Sequence, residues 1–227
     1  MKLTLEIDDT THQRLLALAQ RQQLTMGEAL QKLLAPVDDS FIPKHGGYEH
    51  LLSYQKARIV FDGTVFFVKK WLPKHGDRTV DQMVQAARSG KQNIVEGSEA
   101  SGTSKEMEIK LTNAARHSLG ELKEDYQDFL RTRGLTLWPS THAYAKRLAA
   151  LNRQPGTTYA DFQKGIESED PEIAANVLLG VTKVTHYLLG QQIKALEQAF
   201  LREGGMRERM HAARLRVRRK DGKDRRD

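Results

Sequence analysis

The residues best suited to chemistry in this 227-residue chain are arginines and lysines gathered at its C-terminal end. Residues 206–227 include ten basic and four acidic side chains, and so carry +6 of the chain's net charge of +7. A guanidinium group binds phosphate through two parallel hydrogen bonds, and clustered positive charge attracts polyanions. We therefore predict a basic tail that contacts nucleic acid; the alternative is a disordered tail that only aids solubility. The predicted contacts are Arg207, Arg209, Arg214, Arg216, Arg218, Arg219 and Lys220.

A second group of basic residues is spread through the middle of the chain. Charges of this kind usually form a solvated helix face, which is the alternative interpretation. We predict that they extend the phosphate-binding surface of the tail. They are Lys69, Lys70, Lys74, Arg78, Arg88, Lys91 and Arg116.

Residue types that support catalysis or metal binding are scarce. The chain has no cysteine, which excludes thiol nucleophiles, disulfides and cysteine-ligated zinc. The Glu-x-x-His spacing of di-iron bundles is absent from the long predicted helices, and His117 and His186 are isolated in the sequence. Ser89, Ser98 and Ser118 have no base at helical spacing that would activate a hydroxyl. We predict no catalytic residue, no metal and no cofactor.

The first 37 residues have the pattern of a small strand-helix-helix unit. Apolar and polar residues alternate from Lys2 to Ile7, as in a strand with one buried face. Asp9 then begins a predicted helix that extends to about Gln22, and Thr25 with Glu28 forms the capping box of a second helix. So small a unit cannot bury enough surface alone, and we expect it to dimerise or to dock elsewhere.

This unit resembles the ribbon-helix-helix family, in which paired strands enter the DNA major groove. The resemblance implies that Lys2, Thr4 and Glu6 face the bases. Glu6 departs from the family, because a carboxylate is repelled by phosphates. Residues 1–39 have four basic and six acidic side chains, which weakens DNA binding further.

Helical periodicity dominates the chain after a linker at residues 38–47. Long amphipathic helices are predicted near 48–72, 79–97, 103–134 and 171–204, and Phe66 is one of the recurring apolar residues of the first. Residues 135–170 form a crossover with shorter helices near 141–152 and 159–168. Asn93 and Glu96-Gly97 are interpreted as a polar helix end with a glycine C-cap. We predict a mainly α fold: an antiparallel four-helix bundle over 48–205, followed by the basic tail of 206–227.

Several uninterrupted motifs give the region 41–219 a family resemblance. They are FIPKHGGY (41–48), DQMVQAARSG (81–90), QNIVEGS (92–98), TSKE (103–106), KLTNAAR (110–116) and DFLR (128–131). They resemble the four helix bundle suffix family, which is similar to four-helix proteins encoded within intervening sequences of bacterial large-subunit rRNA genes. It is also similar to the accessory variability determinants of diversity-generating retroelements. The resemblance implies a pentameric homo-oligomer with basic surfaces that bind nucleic acid, and no enzymatic activity.

Together these observations predict a non-enzymatic, oligomeric nucleic-acid-binding accessory protein. RNA or a template-primer duplex is favoured over other DNA, and the resemblance implies a reverse transcriptase as partner. Two alternatives stay open: a ribbon-helix-helix DNA-binding repressor, and a protein-protein scaffold without nucleic acid. The acidic residues Glu121, Glu124, Asp125 and Asp128 suit salt bridges between subunits. No apolar run reaches the roughly 18 to 20 residues of a membrane span, so we expect a cytoplasmic protein.

Overall fold

The computed structural model describes residues 8–22, 25–28, 30, 45–72 and 78–223. Several predicted features lie outside the described residues: the DNA-reading strand with Lys2, Thr4 and Glu6, most of the linker 38–47, and Lys74. The described residues form eight α-helices and no strand, so the prediction of a mainly α fold is confirmed. The helices are α1 (Asp9–Gln22), α2 (Leu52–Trp71), α3 (Arg78–Ala100), α4 (Lys105–Thr132), α5 (Ala143–Arg153), α6 (Tyr159–Ile166), α7 (Pro171–Glu203) and α8 (Met206–Lys223).

Contacts divide the chain into two units, Met1–Ser40 and Phe41–Asp227. In the first unit, α1 has the predicted extent, but its cap is Asp8 rather than Asp9. The Asp8 Oδ1 atom accepts a hydrogen bond from Thr11 N at 2.7 Å, because the helix already begins at Asp9.

The predicted capping box at the start of the next helical turn is confirmed. The Glu28 carboxylate accepts hydrogen bonds from Thr25 N and Thr25 Oγ1, both at 2.8 Å, while Thr25 Oγ1 accepts from Glu28 N at 3.3 Å. These hydrogen bonds to the charged form lower the pKa of Glu28. Leu15 and Ala19 are buried against Leu30, so the unit has a small apolar contact of its own.

In the second unit, four long helices pack around one apolar core. Helix α3 contacts α4, α4 contacts α7, α7 contacts α2, and α2 contacts α3, which closes the cycle. Residue pairs show that α3 and α4 run in opposite directions. Gly90 lies against Leu119 of α4, whereas Gly97, further along α3, lies against the earlier Leu111. The result is a bundle-like fold whose outer surface is divided into grooves between adjacent helices.

Gly97 does not end a helix, and its predicted role as a C-cap is wrong. Helix α3 continues to Ala100, and Gly97 is buried against α4. A Cβ atom at Gly97 would lie 3.4 Å from both Glu108 O and Leu111 Cβ. The absence of a side chain therefore allows the two helices to approach closely.

The ends of the long helices follow mostly from capping residues. Ser104 caps α4 by accepting from Met107 N at 3.1 Å, and Gly134, with a φ of 66°, follows its last turn as predicted. Asp170 caps α7 through Glu172 N at 2.8 Å, with Pro171 at the first helical position. Helix α3 begins at Arg78, slightly earlier than the capping pattern predicted.

Aromatic side chains fill the centre of the core. Phe67 packs edge-to-face on Tyr126 and on Phe129, with ring centroids 5.2 and 4.7 Å apart. The neighbouring Phe66, one of the apolar residues of the predicted helical pattern, is partly buried and packs against this core. The Tyr126 hydroxyl is satisfied by Thr64 Oγ1 at 2.8 Å, and burial raises its pKa. The hydroxyl groups of Thr64 and Tyr126 are therefore hydrogen-bonded to each other although both are buried.

Asn176 joins the crossover to α7. Its side-chain oxygen accepts from Trp138 N at 2.9 Å, and its amide nitrogen donates to Thr136 O at 2.8 Å and Glu172 O at 2.9 Å. The residue is 5% exposed, so water cannot easily replace these partners. The amide fixes the position of Trp138 relative to the bundle.

We expect Asn176→Ala to lower the free energy of unfolding by about 2 to 3 kcal/mol, because it leaves Trp138 N and Thr136 O without this partner. Urea unfolding followed by circular dichroism measures the change. Gln198→Ala, an exposed amide on the same helix, should have an effect below about 0.5 kcal/mol. Equal effects of the two substitutions would contradict the role of Asn176.

One stretch of the described chain, Pro171–Arg218, is long and apolar enough to cross a membrane by length and composition. Its most apolar window is 56% buried inside the protein. A buried core helix passes the same test, so the finding alone is weak evidence for a membrane span.

The basic tail is a helix over most of its length, rather than the disordered segment of the alternative interpretation. Gly204, with a φ of 70°, ends α7, and α8 begins at Met206. The Glu208 carboxylate accepts from Gly205 N at 2.8 Å, which holds the first turn of α8. The arginines are therefore placed at fixed helical intervals along α8.

Candidate nucleic-acid interface

A groove of about 470 Å³ runs between α4 and α7 on the surface of the bundle. Two glycines bring the helices together there. A Cβ atom on Gly120 would lie 3.9 Å from the His186 ring, and one on Gly190 would lie 3.6 Å from Arg116 Nε. The long side chains beside these glycines therefore form the walls of the groove. The lining includes Arg116, His186, Tyr187, Gln191, Lys194 and Glu197.

Basic side chains of α4 and α7 face each other across this groove. The pKa of His186 is lowered first by burial and then by the charges of Arg116, Lys123 and His117. On the adjacent turn of α7, burial and the charge of Lys123 lower the pKa of Lys183. We call the lining residues Arg116, His186 and Lys194, together with the neighbouring His117, Lys123 and Lys183, the cationic groove.

Acidic side chains offset only part of this charge. Lys123 Nζ lies 3.1 Å from Glu124 Oε1, and Glu197 is in the lining. Among the lining residues, Arg116 and Lys194 thus carry two positive charges beside the one carboxylate of Glu197. An arrangement of like charges that repel one another is stabilised by an anion, and an elongated groove suits a chain of phosphates.

Among the described basic residues that were predicted in the middle of the chain, the structure brings only Arg116 into the cationic groove. Lys69 and Arg88 are exposed elsewhere. Lys70 Nζ binds Glu169 Oε1 at 2.7 Å and Ser168 O at 3.2 Å, and so holds the end of the crossover. Lys91 Nζ lies 4.3 Å from the centre of the Phe61 ring.

Arg78 lies in a different groove, of about 630 Å³, between α3 and α4. Its neighbours there include Asp81, Glu121 and Asp125. Burial raises the pKa of Asp125, and the charges of Glu121 and Asp128 raise it further. The surroundings of Arg78 are therefore acidic, which suits a basic partner rather than phosphate.

The arginines of α8 lie at one end of the bundle, and Lys69, Lys70 and Arg78 lie at the other. Arg209 Nη2 donates to Gly102 O, in the α3–α4 turn, at 3.4 Å. The 28 residues of α4 span about 42 Å between these ends. The exposed arginines of α8 are Arg207, Arg214, Arg216 and Arg218, and the side chains of Arg219 and Lys220 lie outside the described set. The predicted residues thus do not form one continuous patch.

Sequence reasoning missed Lys123, Lys183, His186 and Lys194. A signal was present, because Lys183, His186 and Lys194 recur on one helix face at intervals of three and eight residues. Nothing in the sequence shows that this face meets the face of Arg116. His117 and His186, isolated in the sequence, are close enough in the fold for their charges to interact.

In the part of the chain that the structure describes, no group of three or more histidine, cysteine, aspartate or glutamate residues could hold a metal ion. Comparison with known proteins finds no matching family model, no similar curated protein and no similar solved structure.

Proposed function

We propose that this chain is a non-enzymatic nucleic-acid-binding protein whose cationic groove holds a phosphate backbone, with RNA favoured over DNA. The observation that carries the proposal is the set of basic side chains between α4 and α7, of which Arg116, His186 and Lys194 line one groove while Lys123 and Lys183 lie close by. Phosphates placed among these groups relieve their mutual repulsion. The exposed arginines of α8 add a second set of phosphate contacts.

We further propose an antiparallel four-helix bundle of the suffix-family type that assembles as a homopentamer and assists a reverse transcriptase. This part rests on the resemblance of region 41–219. In an oligomer, each copy contributes one groove and one α8, so affinity rises through multivalency. Light scattering gives the number of subunits, and five copies per particle is the expected result.

The test is binding of a fluorescein-labelled RNA hairpin with a single-stranded extension, followed by anisotropy at several salt concentrations. We expect the double substitution Arg116→Gln and Lys183→Gln to weaken binding by roughly tenfold at moderate salt. The slope of log affinity against log salt should fall by about 1.4 to 1.8, because two phosphate contacts are lost.

The matched control is Lys110→Gln with Arg202→Gln. These exposed residues lie on the same two helices but outside the groove lining, and their loss changes net charge equally. We expect the control to bind RNA within about twofold of the unmodified protein. Equal losses in both variants would mean that total charge, not the groove, determines affinity. Protein that binds no RNA at all would instead favour the scaffold alternative.

A further inference from the structure

An aromatic cluster lies on the crossover beside the bundle. The Trp138 and His142 rings stack with centroids 4.7 Å apart and an angle of 17°, and the Tyr144 ring lies 5.5 Å from Trp138. Tyr144 is 50% exposed. Two residues of α7 hold Trp138 in position, because its Nε1 donates to Glu172 Oε1 at 3.1 Å and its backbone NH donates to the Asn176 side chain. The cluster is thus a fixed platform with one ring open to solvent.

A groove of about 520 Å³ opens beside this platform, between α5, α6 and α7. Its lining combines Trp138 and Tyr144 with an apolar floor. Arg147, Lys164 and the acidic Asp161 also line it, and the Arg147 guanidinium lies 6.0 Å from the centre of the Tyr144 ring. The floor is formed by Leu148, Leu151, Phe162, Ile173 and Val177. Flat aromatic surface next to positive charge is the combination that binds a nucleobase and its phosphate.

The platform connects to the cationic groove through Lys183. This residue lines a cavity of about 220 Å³ together with Trp138 and Asn152, and it also interacts with Lys123 of the groove. Among the described residues, the buried Asn152 Oδ1 atom has no hydrogen-bond partner. An unpaired acceptor next to an aromatic ring is suited to the NH groups of a base edge.

We propose that Trp138 and Tyr144 form a stacking site for one unpaired base of a single-stranded nucleic acid whose phosphates lie in the cationic groove. Tyr144 contacts the face of the base, and Arg147 contacts the adjoining phosphate. This inference rests on the proposed function, and it adds a preference for single strands that phosphate contacts alone do not give.

Tryptophan fluorescence tests this site directly, because the chain has only Trp71 and Trp138. In the Trp71→Phe variant all tryptophan fluorescence comes from Trp138. In the Trp138→Phe variant it comes from Trp71, which lies outside the proposed site and serves as the control. Two probes are titrated: a single-stranded uridine oligonucleotide, and inorganic polyphosphate of similar length, which has charge but no bases. Isothermal titration calorimetry measures binding of the polyphosphate directly.

We expect the oligonucleotide to quench Trp138 and to leave Trp71 unchanged, while polyphosphate binds without quenching. Tyr144→Ala should weaken oligonucleotide binding by roughly tenfold and polyphosphate binding by less than twofold. Tyr144→Phe, which keeps the ring, should restore most of the affinity.

The outcomes separate the two proposals. If both probes bind, Trp138 is not quenched and Tyr144→Ala changes neither affinity, the stacking site is overturned and phosphate binding stands. If neither probe binds, the proposed function itself fails. If polyphosphate binds and the oligonucleotide does not, the protein recognises phosphate charge without bases, which also overturns the stacking site.

Discussion

Phe67→Ala is expected to lower the free energy of unfolding by about 3 to 5 kcal/mol, the range for removing a large aromatic side chain from a packed core. Phe67 is fully buried, and its ring contacts both Tyr126 and Phe129 of α4. The substitution removes both edge-to-face contacts and leaves a cavity between α2 and α4. Urea unfolding followed by circular dichroism gives the change.

Leu201→Ala is the control for this substitution, since Leu201 is 82% exposed and its loss should change stability by less than about 0.5 kcal/mol. Phe67→Leu should lie between the two, because it retains much of the buried volume. A loss below about 1 kcal/mol for Phe67→Ala would show that α2 does not pack on α4 through this ring.

The core of α2 shows how far sequence periodicity determines packing. The pattern correctly predicted a helix over most of 48–72 despite Gly63 and several β-branched residues. It selected Phe66, whereas the structure buries Phe67. Apolar residues occur on several sides of this helix, so periodicity alone could not choose between two adjacent rings. Gly63 decides the orientation, because a Cβ atom there would collide with the Leu178 side chain of α7.

Local signals predicted the helix ends better than the contacts between helices. The Thr25–Glu28 capping box, Pro171 and Gly134 depend on residues within a few positions, and each has the predicted role in the structure. Gly97 has an equally clear local signal, yet it lies inside α3 and is buried against α4. The sequence could not reveal that contact without the position of the neighbouring helix.

The candidate site was predictable only in part for the same reason. Arg116 could be selected as a basic residue, but its partners Lys183 and His186 lie about 70 positions further along the chain. Their shared groove depends on the pairing of α4 with α7. The aromatic platform combines three parts of the chain. Trp138 lies in the loop after α4 and Tyr144 lies in α5, while Asn176 and Glu172 of α7 hold Trp138 in position. Basic composition therefore suggests a polyanionic ligand, but it does not indicate which surface would contact that ligand.

Loss of the exposed arginines of α8 is expected to weaken RNA binding strongly. Arg207, Arg214 and Arg218 are exposed and, at intervals of seven and four residues, share one face of the helix. Arg209 lies on another face and donates to Gly102 O. The arginines on the exposed face are thus free to bind a duplex or strand while α8 remains attached to the bundle.

Replacing Arg207, Arg214 and Arg218 together by glutamine is expected to weaken binding of the RNA hairpin by roughly thirtyfold at 0.15 M salt. The slope of log affinity against log salt should fall by about 2 to 3, because binding releases fewer counterions when three phosphate contacts are lost. Glutamine favours helix about as well as arginine, so α8 should persist, which circular dichroism verifies. Replacement of the same three residues by lysine keeps the charge and should retain affinity within a fewfold. If the glutamine and lysine variants bind with equal affinity and equal salt slope, α8 makes no phosphate contacts, and the cationic groove must account for all binding.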